Sequence, residues 1–282
     1  MRIALVSPLY EPVPPPKYGG TERVIDALAN ELVRRGHDVT LFAAGGSRTD
    51  AKLVSCSRRP LRTTMSRAEL EFTAPHLHLK MLADVCARAG DFDVIHSHAD
   101  IWTLPFVAQS STPIVVTMHG RLDLDNLRTV LPLYPNTPLI SISDSQREPL
   151  ADLDIRWAGT CYNGLDLWEY QHAPVGIRQD RYLAFVGRIT AEKRPDWAIE
   201  VARRAGMRLK IAAKVDPLDQ EYWTDEIEPL IAADPNVEFV GEIGEAEKPE
   251  FLSRAAGLVF PIDWPEPFGL VMIESMAAGT PV

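Results

Sequence analysis

The chain has 282 residues, of which 46% are hydrophobic, 24% charged and 8% aromatic. These ordinary proportions exclude a disordered, collagen-like or low-complexity chain and leave room for one large domain or two. Lys and Arg number 29 and Asp and Glu number 39, a formal net charge of −10, so we expect no nucleic-acid partner, which would need a basic surface.

Three features of the sequence predict a cytoplasmic protein. The cysteines, Cys56, Cys86 and Cys161, are odd in number and far apart, which fits a reducing compartment better than a disulfide framework. The first apolar stretch meets Pro8 too early to be a signal peptide. No apolar run approaches the roughly 18 residues that cross a bilayer, so we expect membrane contact that is at most peripheral.

Short apolar stretches rich in β-branched residues alternate with amphipathic helical patterns along the chain. This alternation is typical of an α/β fold with buried parallel strands. In the first part of the chain we predict strands over residues 2–6, 39–43, 94–96, 114–118 and 139–143, and helices over 21–35 and 75–89. In the second part we predict strands over residues 182–186, 209–213, 237–240 and 258–261, and helices over 196–205, 220–232, 248–255 and 269–278.

The alternation is interrupted over residues 163–180, a polar stretch that contains Pro174 and Gly176. We interpret this stretch as a linker, which predicts two doubly wound domains, 1–170 and 171–282. The last predicted helix ends in Gly-Thr-Pro-Val, a helix stop followed by what resembles the start of a strand. A doubly wound domain of only about 100 residues is too short to be finished there, so we expect a chain truncated at its C-terminus.

In the first predicted domain, glycines and histidines are candidates for ligand contacts. Gly19 and Gly20 precede a predicted helix, where glycines let backbone amides approach an anion, although a capped loop without a ligand explains them equally well. His96, His98 and His119 lie at the ends of two predicted strands, where open parallel sheets bind ligands. His96 also fits a buried core position, whereas His119, followed by a glycine, is the best placed to face a cleft.

Arg188 and Lys193 bracket the turn between a strand and a helix of the second predicted domain. Two cations beside a helix N-terminus favour a diphosphate ligand, and solvated surface charge is the alternative interpretation. We predict no metal site. Asp-x-Asp occurs three times, which is a number expected by chance in an acidic chain. No second pair of ligands at a spacing typical of zinc sites accompanies the histidines.

The strongest motif places Glu266 before the last predicted helix and Glu274 eight residues later, inside it. Between them, Phe268, Gly269 and Leu270 would present backbone amides at the helix start to hydroxyl or phosphate oxygens. A carboxylate in the helix can hold two vicinal hydroxyls, as on a ribose, and one in the loop can hold a sugar hydroxyl. Because a buried, unpaired carboxylate is costly, we expect a polar group to meet Glu274.

In this order the motifs resemble those of the retaining nucleotide-sugar transferases of glycosyltransferase family 4 (group 1). The resemblance covers nearly the whole chain, through Gly19-Gly20, Asp93-Val-Ile-His96-Ser-His98, Thr117-Met-His119-Gly120, Ser141-Ile-Ser-Asp144, Tyr162-Asn163-Gly164-Leu-Asp166, Gly187-Arg188-Ile with Glu192-Lys193, and Glu266 to Val282. The last of these, two glutamates with seven residues between them, is the most specific. The resemblance implies the α/β GT-B fold, with two doubly wound Rossmann-like domains facing across a cleft and the second incomplete.

The resemblance also implies residue roles in the second domain. Arg188 and Lys193 would bind the donor diphosphate and stabilise the departing nucleoside diphosphate, of the UDP or GDP type. Glu274 would hold the ribose, and Glu266 would hold a hydroxyl of the donor sugar. The backbone amides of Phe268, Gly269 and Leu270 would complete the donor site.

In the first domain the resemblance implies that Gly19 and Gly20 approach the phosphates and that His119 contacts the transferred sugar. The implied reaction is metal-independent hexosyl transfer with retention of anomeric configuration, by front-face attack in which the leaving phosphate oxygen takes the acceptor proton. No cofactor is implied beyond the nucleotide-sugar donor, and the acceptor would be a small molecule, a glycan or a lipid-linked compound.

The chain departs from the family pattern at two points. The family often has a glycine-rich turn after the second strand of its second domain, where this chain has Ile-Ala-Ala-Lys-Val-Asp over residues 211–216. Family members also continue for several tens of residues beyond the helix that carries Glu274. A sugar-nucleotide epimerase or phosphorylase of the same fold, and a non-catalytic nucleotide-binding remnant, are the alternatives to a transferase.

Overall fold

The computed structural model describes residues 1–165, 167, 170 and 182–282. Contacts divide the chain into two compact units, the first formed by Met1–Pro15 and Gly19–Asn163 and the second by Pro16–Tyr18 and Gly164–Val282. Most of the predicted linker, 163–180, lies outside the described residues. The predicted domain boundary between residues 170 and 171 therefore stays a prediction.

The first unit is built on a seven-stranded sheet in the order β3-β2-β1-β4-β5-β6-β7, with every neighbouring pair parallel. Its strands are β1 (Arg2–Val6), β2 (Asp38–Ala43), β3 (Lys52–Ser55), β4 (Val94–Ser97), β5 (Ile114–Met118), β6 (Leu139–Ser141) and β7 (Trp157–Thr160). Its α-helices are α1 (Gly20–Arg34), α2 (Arg67–Phe72), α3 (Ala74–Ala87), α4 (Leu104–Val107) and α5 (Asp125–Val130). Short 3-10 segments cover Leu61–Thr63, Ala89–Asp91, Asp100–Thr103, Leu131–Leu133 and Ser145–Leu150.

The second unit contains a four-stranded parallel sheet in the order β10-β9-β8-β11. Its strands are β8 (Tyr182–Arg188), β9 (Arg208–Lys214), β10 (Val237–Gly241) and β11 (Gly257–Leu258). Its longer α-helices are α6 (Pro195–Ala205), α7 (Glu228–Ala233), α8 (Lys248–Ser253) and α9 (Leu270–Ala277). Two 3-10 turns cover Ala191–Lys193 and Pro217–Asp219.

The helix predicted over residues 220–232 is interrupted. A helical turn, Gln220–Tyr222, leads into a π-helical segment, Trp223–Ile227, before α7 begins. Pro229 stands in the first turn of α7 and has no backbone N–H to donate to the preceding turn, which accounts for the change in hydrogen-bond pattern there.

The central strands of both sheets are buried on both faces. Along β1, Ile3 and Leu5 pack into one apolar cluster, whereas Ala4 and Val6 pack into another on the opposite face, because successive strand residues point to opposite sides. The second sheet likewise separates two clusters. The candidate site lies at the carboxyl ends of the strands and in the loops that follow them. Among the described residues, none of the helices combines the length and apolarity that a membrane span requires.

Candidate functional site

The loops that follow β8 and β11 meet at one edge of the second sheet, because these two parallel strands are neighbours. This adjacency brings together Lys193 and Glu266, which are 73 residues apart in the sequence: Lys193 Nζ donates a hydrogen bond to Glu266 Oε2. Their side chains are only 18% and 14% exposed. Two of the predicted site residues thus form a largely buried ion pair.

Two aromatic rings surround the same lysine. Lys193 Nζ lies 4.8 Å from the ring centre of Trp264 and 5.3 Å from that of Phe260, within the range of cation–π attraction. Glu266 and the two rings hold the ammonium in one position. We did not predict these aromatic residues, although both lie within six residues of Glu266.

The other predicted cation, Arg188, lies at the end of β8 and is paired with Asp219, with Arg188 Nε 3.3 Å from Asp219 Oδ2. Between Arg188 and Lys193 along the chain stands Thr190, which is only 4% exposed. Its hydroxyl has no hydrogen-bond partner among the described residues. The sequence analysis missed both Asp219 and Thr190, since an isolated threonine or aspartate in a turn carries no recognisable signal.

Gly269 immediately precedes α9 and has a left-handed φ of +78°. A Cβ at this position would lie 2.4 Å from Met272 Cε and 3.4 Å from Glu266 Cγ. The left-handed backbone therefore favours glycine here, and a Cβ would also displace the methyl group of Met272, whereas its distance to Glu266 is that of an ordinary van der Waals contact. Phe268 and Leu270, on either side, are partly buried. The Met272 amide donates to the Gly269 carbonyl at 3.0 Å, so the amides of Leu270 and Val271 are the first-turn donors that lack an intrahelical acceptor.

Glu274, on α9, is only 3% exposed and accepts a hydrogen bond of 2.8 Å from Lys248 Nζ. Lys248 Nζ also lies 2.5 Å from Glu245 Oε1. The polar group that we expected beside Glu274 is thus a lysine of the protein. We missed Lys248 because a lysine at the start of a helical pattern resembles a solvated residue.

In the first unit, the predicted histidines gather at the carboxyl ends of the neighbouring strands β4 and β5. His98 Nδ1 lies 2.8 Å from His119 Nε2, and His96 Nε2 lies 2.7 Å from Thr117 Oγ1. His98 Nε2 is buried and has no hydrogen-bond partner among the described residues. The ring centres of His96 and His98 are 4.2 Å apart and those of His98 and His119 are 5.1 Å apart, with the rings tilted by 34° and 33°, so the three imidazoles form one group in contact.

Burial sets the charge state of this group. It lowers the pKa of His96 to about 4 and that of His119 to about 3, and it holds the pKa of His98 well below its usual value. The imidazoles are therefore neutral at pH 7, and one of the pair His98–His119 donates its N–H to the other. Asp100 follows with a left-handed φ of +53°, and burial raises the pKa of its carboxyl to about 6.

Gly19 precedes α1 with a φ of +153°. A Cβ on Gly19 would lie 2.7 Å from Pro15 Cβ, so the close approach of the proline loop requires glycine. Gly20 is the first residue of the 15-residue helix, and no side chain caps this helix start. The amides of the first turn are thus left to solvent or to a ligand.

In the part of the chain that the structure describes, no three or more His, Cys, Asp and Glu side chains are grouped so that they could hold a metal ion. Metal independence of the reaction stays a prediction.

Comparison with known families tests the resemblance. A family model for glycosyltransferase family 4 matches residues 18–168, and one for group 1 glycosyl transferases matches residues 169–282. The chain belongs to glycosyltransferase family 4. The first match alone covers more than half of the chain, and the two together follow the order of the two units, so the resemblance drawn from the motifs is confirmed.

This family 4 glycosyltransferase is 28% identical to phosphatidyl-myo-inositol mannosyltransferase of Mycolicibacterium smegmatis, over the whole chain and 75% of that protein. Its structure is similar to sucrose-phosphate synthase from Thermosynechococcus elongatus, with a TM-score of 0.78 at 20% identity over 100% of this chain and 80% of that one. It is also similar to Anabaena HepE in complex with UDP-glucose, with a TM-score of 0.74 at 18% identity over 100% and 79%. The predicted GT-B fold, α/β with a shorter second domain, is confirmed.

Proposed function

We propose that this glycosyltransferase moves a hexose from a nucleoside diphosphate sugar to an acceptor hydroxyl, with retention of configuration and without a metal ion. The observation that carries the proposal is the contact between Lys193 and Glu266 at the carboxyl edge of the second sheet, in a chain of a glycosyltransferase family. A related structure, Anabaena HepE, holds UDP-glucose, and we propose the same class of donor here.

The diphosphate would be bound by Arg188, Lys193 and the free hydroxyl of Thr190, together with the first amides of α9. Glu266 and two aromatic rings already hold the Lys193 ammonium in place, so little reorganisation is needed as negative charge develops on the leaving nucleoside diphosphate. Such preorganised cations and amides lower the barrier most when they are fixed before the reaction.

The remaining predicted roles complete the proposal. Glu266 would accept a hydrogen bond from a hydroxyl of the donor sugar, and Glu274 would accept those of the ribose. In the first unit, the amides at Gly19 and Gly20 suit a phosphate, and the neutral imidazole of His119 suits a hydroxyl of the transferred sugar.

The transfer step requires no nucleophile from the protein. The bond from the anomeric carbon to the phosphate oxygen breaks, and a bond to the acceptor oxygen forms on the same face of the sugar. The acceptor hydroxyl gives its proton to the leaving phosphate oxygen, so that charge and atoms balance. Cations at the diphosphate promote this step by stabilising the leaving group.

The experiment that tests the proposal has two stages. Calorimetric titration with UDP, GDP and ADP identifies the nucleotide, and the matching sugar donor is then incubated with panels of small-molecule, glycan and lipid-linked acceptors. Product analysis by NMR should show a new glycoside with the anomeric configuration of the donor. A free epimerised sugar or a sugar phosphate would instead support the epimerase or phosphorylase, and nucleotide binding without any product would support a non-catalytic remnant.

A further inference from the structure

A buried ion pair stands behind the proposed ribose residue. Lys248 is 8% exposed and Glu274 is 3% exposed, and their 2.8 Å hydrogen bond joins the start of α8 to the second turn of α9. Glu245, whose side chain is 24% exposed, is the second carboxylate at the Lys248 ammonium. Three charged groups thus meet where α8 and α9 pack together.

The fold of α8 does not by itself explain a lysine at this position. Lys248 is the first residue of α8, and a cation at a helix N-terminus is disfavoured by the backbone dipoles. Removing an ammonium and a carboxylate from water is costly, and apolar residues of similar volume often stabilise a protein at least as well. An apolar pair would therefore stabilise the packing of α8 against α9 at least as well as this ion pair does.

The hydrogen bonding of Glu274 is asymmetric. Oε1 accepts a hydrogen bond from Lys248 Nζ, and this is the one side-chain hydrogen bond that Glu274 forms among the described residues, so Oε2 is left without one. The lysine therefore fixes the rotation of the carboxylate and leaves one oxygen available. A fixed carboxylate oxygen is the acceptor that a pair of vicinal hydroxyls needs, whereas a freely rotating carboxylate would lose entropy on binding them.

We infer that Lys248 is a positioning residue that orients Glu274 for the vicinal hydroxyls of a ribonucleotide, and that it thereby sets the preference for a ribonucleotide over a 2′-deoxyribonucleotide. Lys248 acts through Glu274 and touches no reacting atom. Its charge also offsets that of Glu274, so the carboxylate repels a nearby diphosphate less. The inference rests on the proposed function, since it takes Glu274 as the ribose ligand.

The test measures the ratio of two affinities. Dissociation constants of UDP and 2′-deoxy-UDP, and of the GDP and ADP pairs, are measured by calorimetry for the full chain and its variants. We expect the unaltered protein to bind the ribonucleotide at least 10-fold more tightly than its 2′-deoxy form. In Lys248→Met the two nucleotides should bind with affinities within about 2-fold of each other. Lys248→Arg keeps the cation, so the logarithm of its affinity ratio should be at least half that of the unaltered protein.

The matched control is Lys210→Met, which removes another lysine ion pair of the same unit, at 3.2 Å from Glu238. This variant should keep the ratio of the unaltered protein. If Lys248→Met does not fold, Lys248→Gln replaces it in the experiment. The glutamine amide still donates a hydrogen bond, but the side chain is shorter and uncharged. We then expect the preference for the ribonucleotide to fall at least 3-fold.

A folded Lys248→Met or Lys248→Gln variant with an unchanged ratio overturns the inference while leaving the proposed function standing. A loss of stability with an unchanged ratio overturns it equally, since that is the signature of a purely structural pair. Failure of the unaltered protein to bind any of the three nucleoside diphosphates would instead overturn the proposed function, and the inference with it.

Discussion

His98 Nδ1 lies 2.8 Å from His119 Nε2, so two imidazoles from the ends of neighbouring strands share a single hydrogen bond. Because that bond uses Nε2 of His119, Nδ1 is the ring nitrogen that remains for a ligand. His98 thereby fixes the orientation of His119 and leaves Nδ1 as the nitrogen for the proposed contact with a sugar hydroxyl.

The buried imidazoles predict a loss of stability in mild acid. Since burial lowers the pKa of His98 well below 6.5, the unfolded chain binds a proton there that the native state does not. Stability is therefore full above about pH 6.5 and falls as the pH is lowered towards 4. For one such histidine, the free energy of unfolding should drop by about 2 kcal/mol between pH 7 and pH 5.

Replacement of His98 by Gln should remove that contribution, so the drop between the two pH values becomes about 2 kcal/mol smaller, as measured by urea denaturation. His76→Gln, at an exposed position, is the control and should leave the drop unchanged. Asp100, whose pKa is raised to about 6, contributes stability that increases as the pH is lowered. Because Asp100 is present in every variant, its contribution cancels in the comparison. An identical drop in His98→Gln and the unaltered protein would contradict the prediction.

Thr190→Val should have opposite effects on stability and on binding. The Thr190 hydroxyl is buried and finds no partner within the described part of the chain, so an isosteric valine should stabilise the free protein by about 1 kcal/mol and raise its melting temperature by about 3 °C. If the hydroxyl binds the diphosphate, nucleoside diphosphate affinity should fall about 10-fold, as one hydrogen bond to a charged group is lost. Calorimetric titration and thermal unfolding measure both effects.

Thr224→Val is the control for Thr190, because Thr224 Oγ1 already donates to the Gln220 carbonyl at 2.6 Å. This change should neither stabilise the protein nor weaken nucleotide binding. Tighter or equal binding of the nucleotide by Thr190→Val would remove Thr190 from the proposed diphosphate site.

Glu266→Gln should separate catalysis from nucleotide binding. The amide keeps the size of the side chain but removes the charge that faces Lys193 and the strong acceptor for a sugar hydroxyl. We expect kcat/KM for transfer to fall about 100-fold or more, on the order of 3 kcal/mol of transition-state stabilisation. The dissociation constant of the nucleoside diphosphate should stay within about 3-fold, since the nucleotide lacks the sugar and the rings of Phe260 and Trp264 still hold Lys193; a parallel collapse of nucleotide affinity would assign Glu266 to nucleotide binding, directly or through Lys193.

Gly269→Ala and Gly279→Ala form a matched pair. Both glycines have left-handed backbones, with φ of +78° and +77°, but only at Gly269 would a Cβ meet other atoms. Each alanine should cost about 1 kcal/mol for the backbone conformation. Gly269→Ala should cost more and should also weaken nucleotide binding, because the Met272 side chain in the first turn of α9 must move; equal thermal midpoints and equal affinities for the two variants would show that this side-chain contact is unimportant.

The strands that the sequence analysis missed share one property. β3 (Lys52–Ser55) and β7 (Trp157–Thr160) lie at the two edges of the first sheet, and most of their residues are partly or fully exposed. An edge strand with solvated residues lacks the continuous apolar run that marks a central strand. β1, which is central and buried, has the predicted bounds Arg2–Val6.

Among the site residues, the motif around Glu266 was recognisable because its spacing is local, but its partners were not. Lys193 and Glu266 are 73 residues apart, and Lys248 and Glu274 are 26 apart. Nothing in either local pattern indicates which carboxylate faces which lysine.

The sequence by itself determined the α/β class, the alternation of elements and the family, because periods of 2 and 3.6 residues and the spacing of two glutamates are local properties of the chain. Only the tertiary structure decided the pairing of charges, the neutrality of the three histidines and the lysine that orients Glu274. Those properties depend on strand order, which places β11 beside β8, and on burial, which excludes water from side chains that sequence alone leaves free to be solvated.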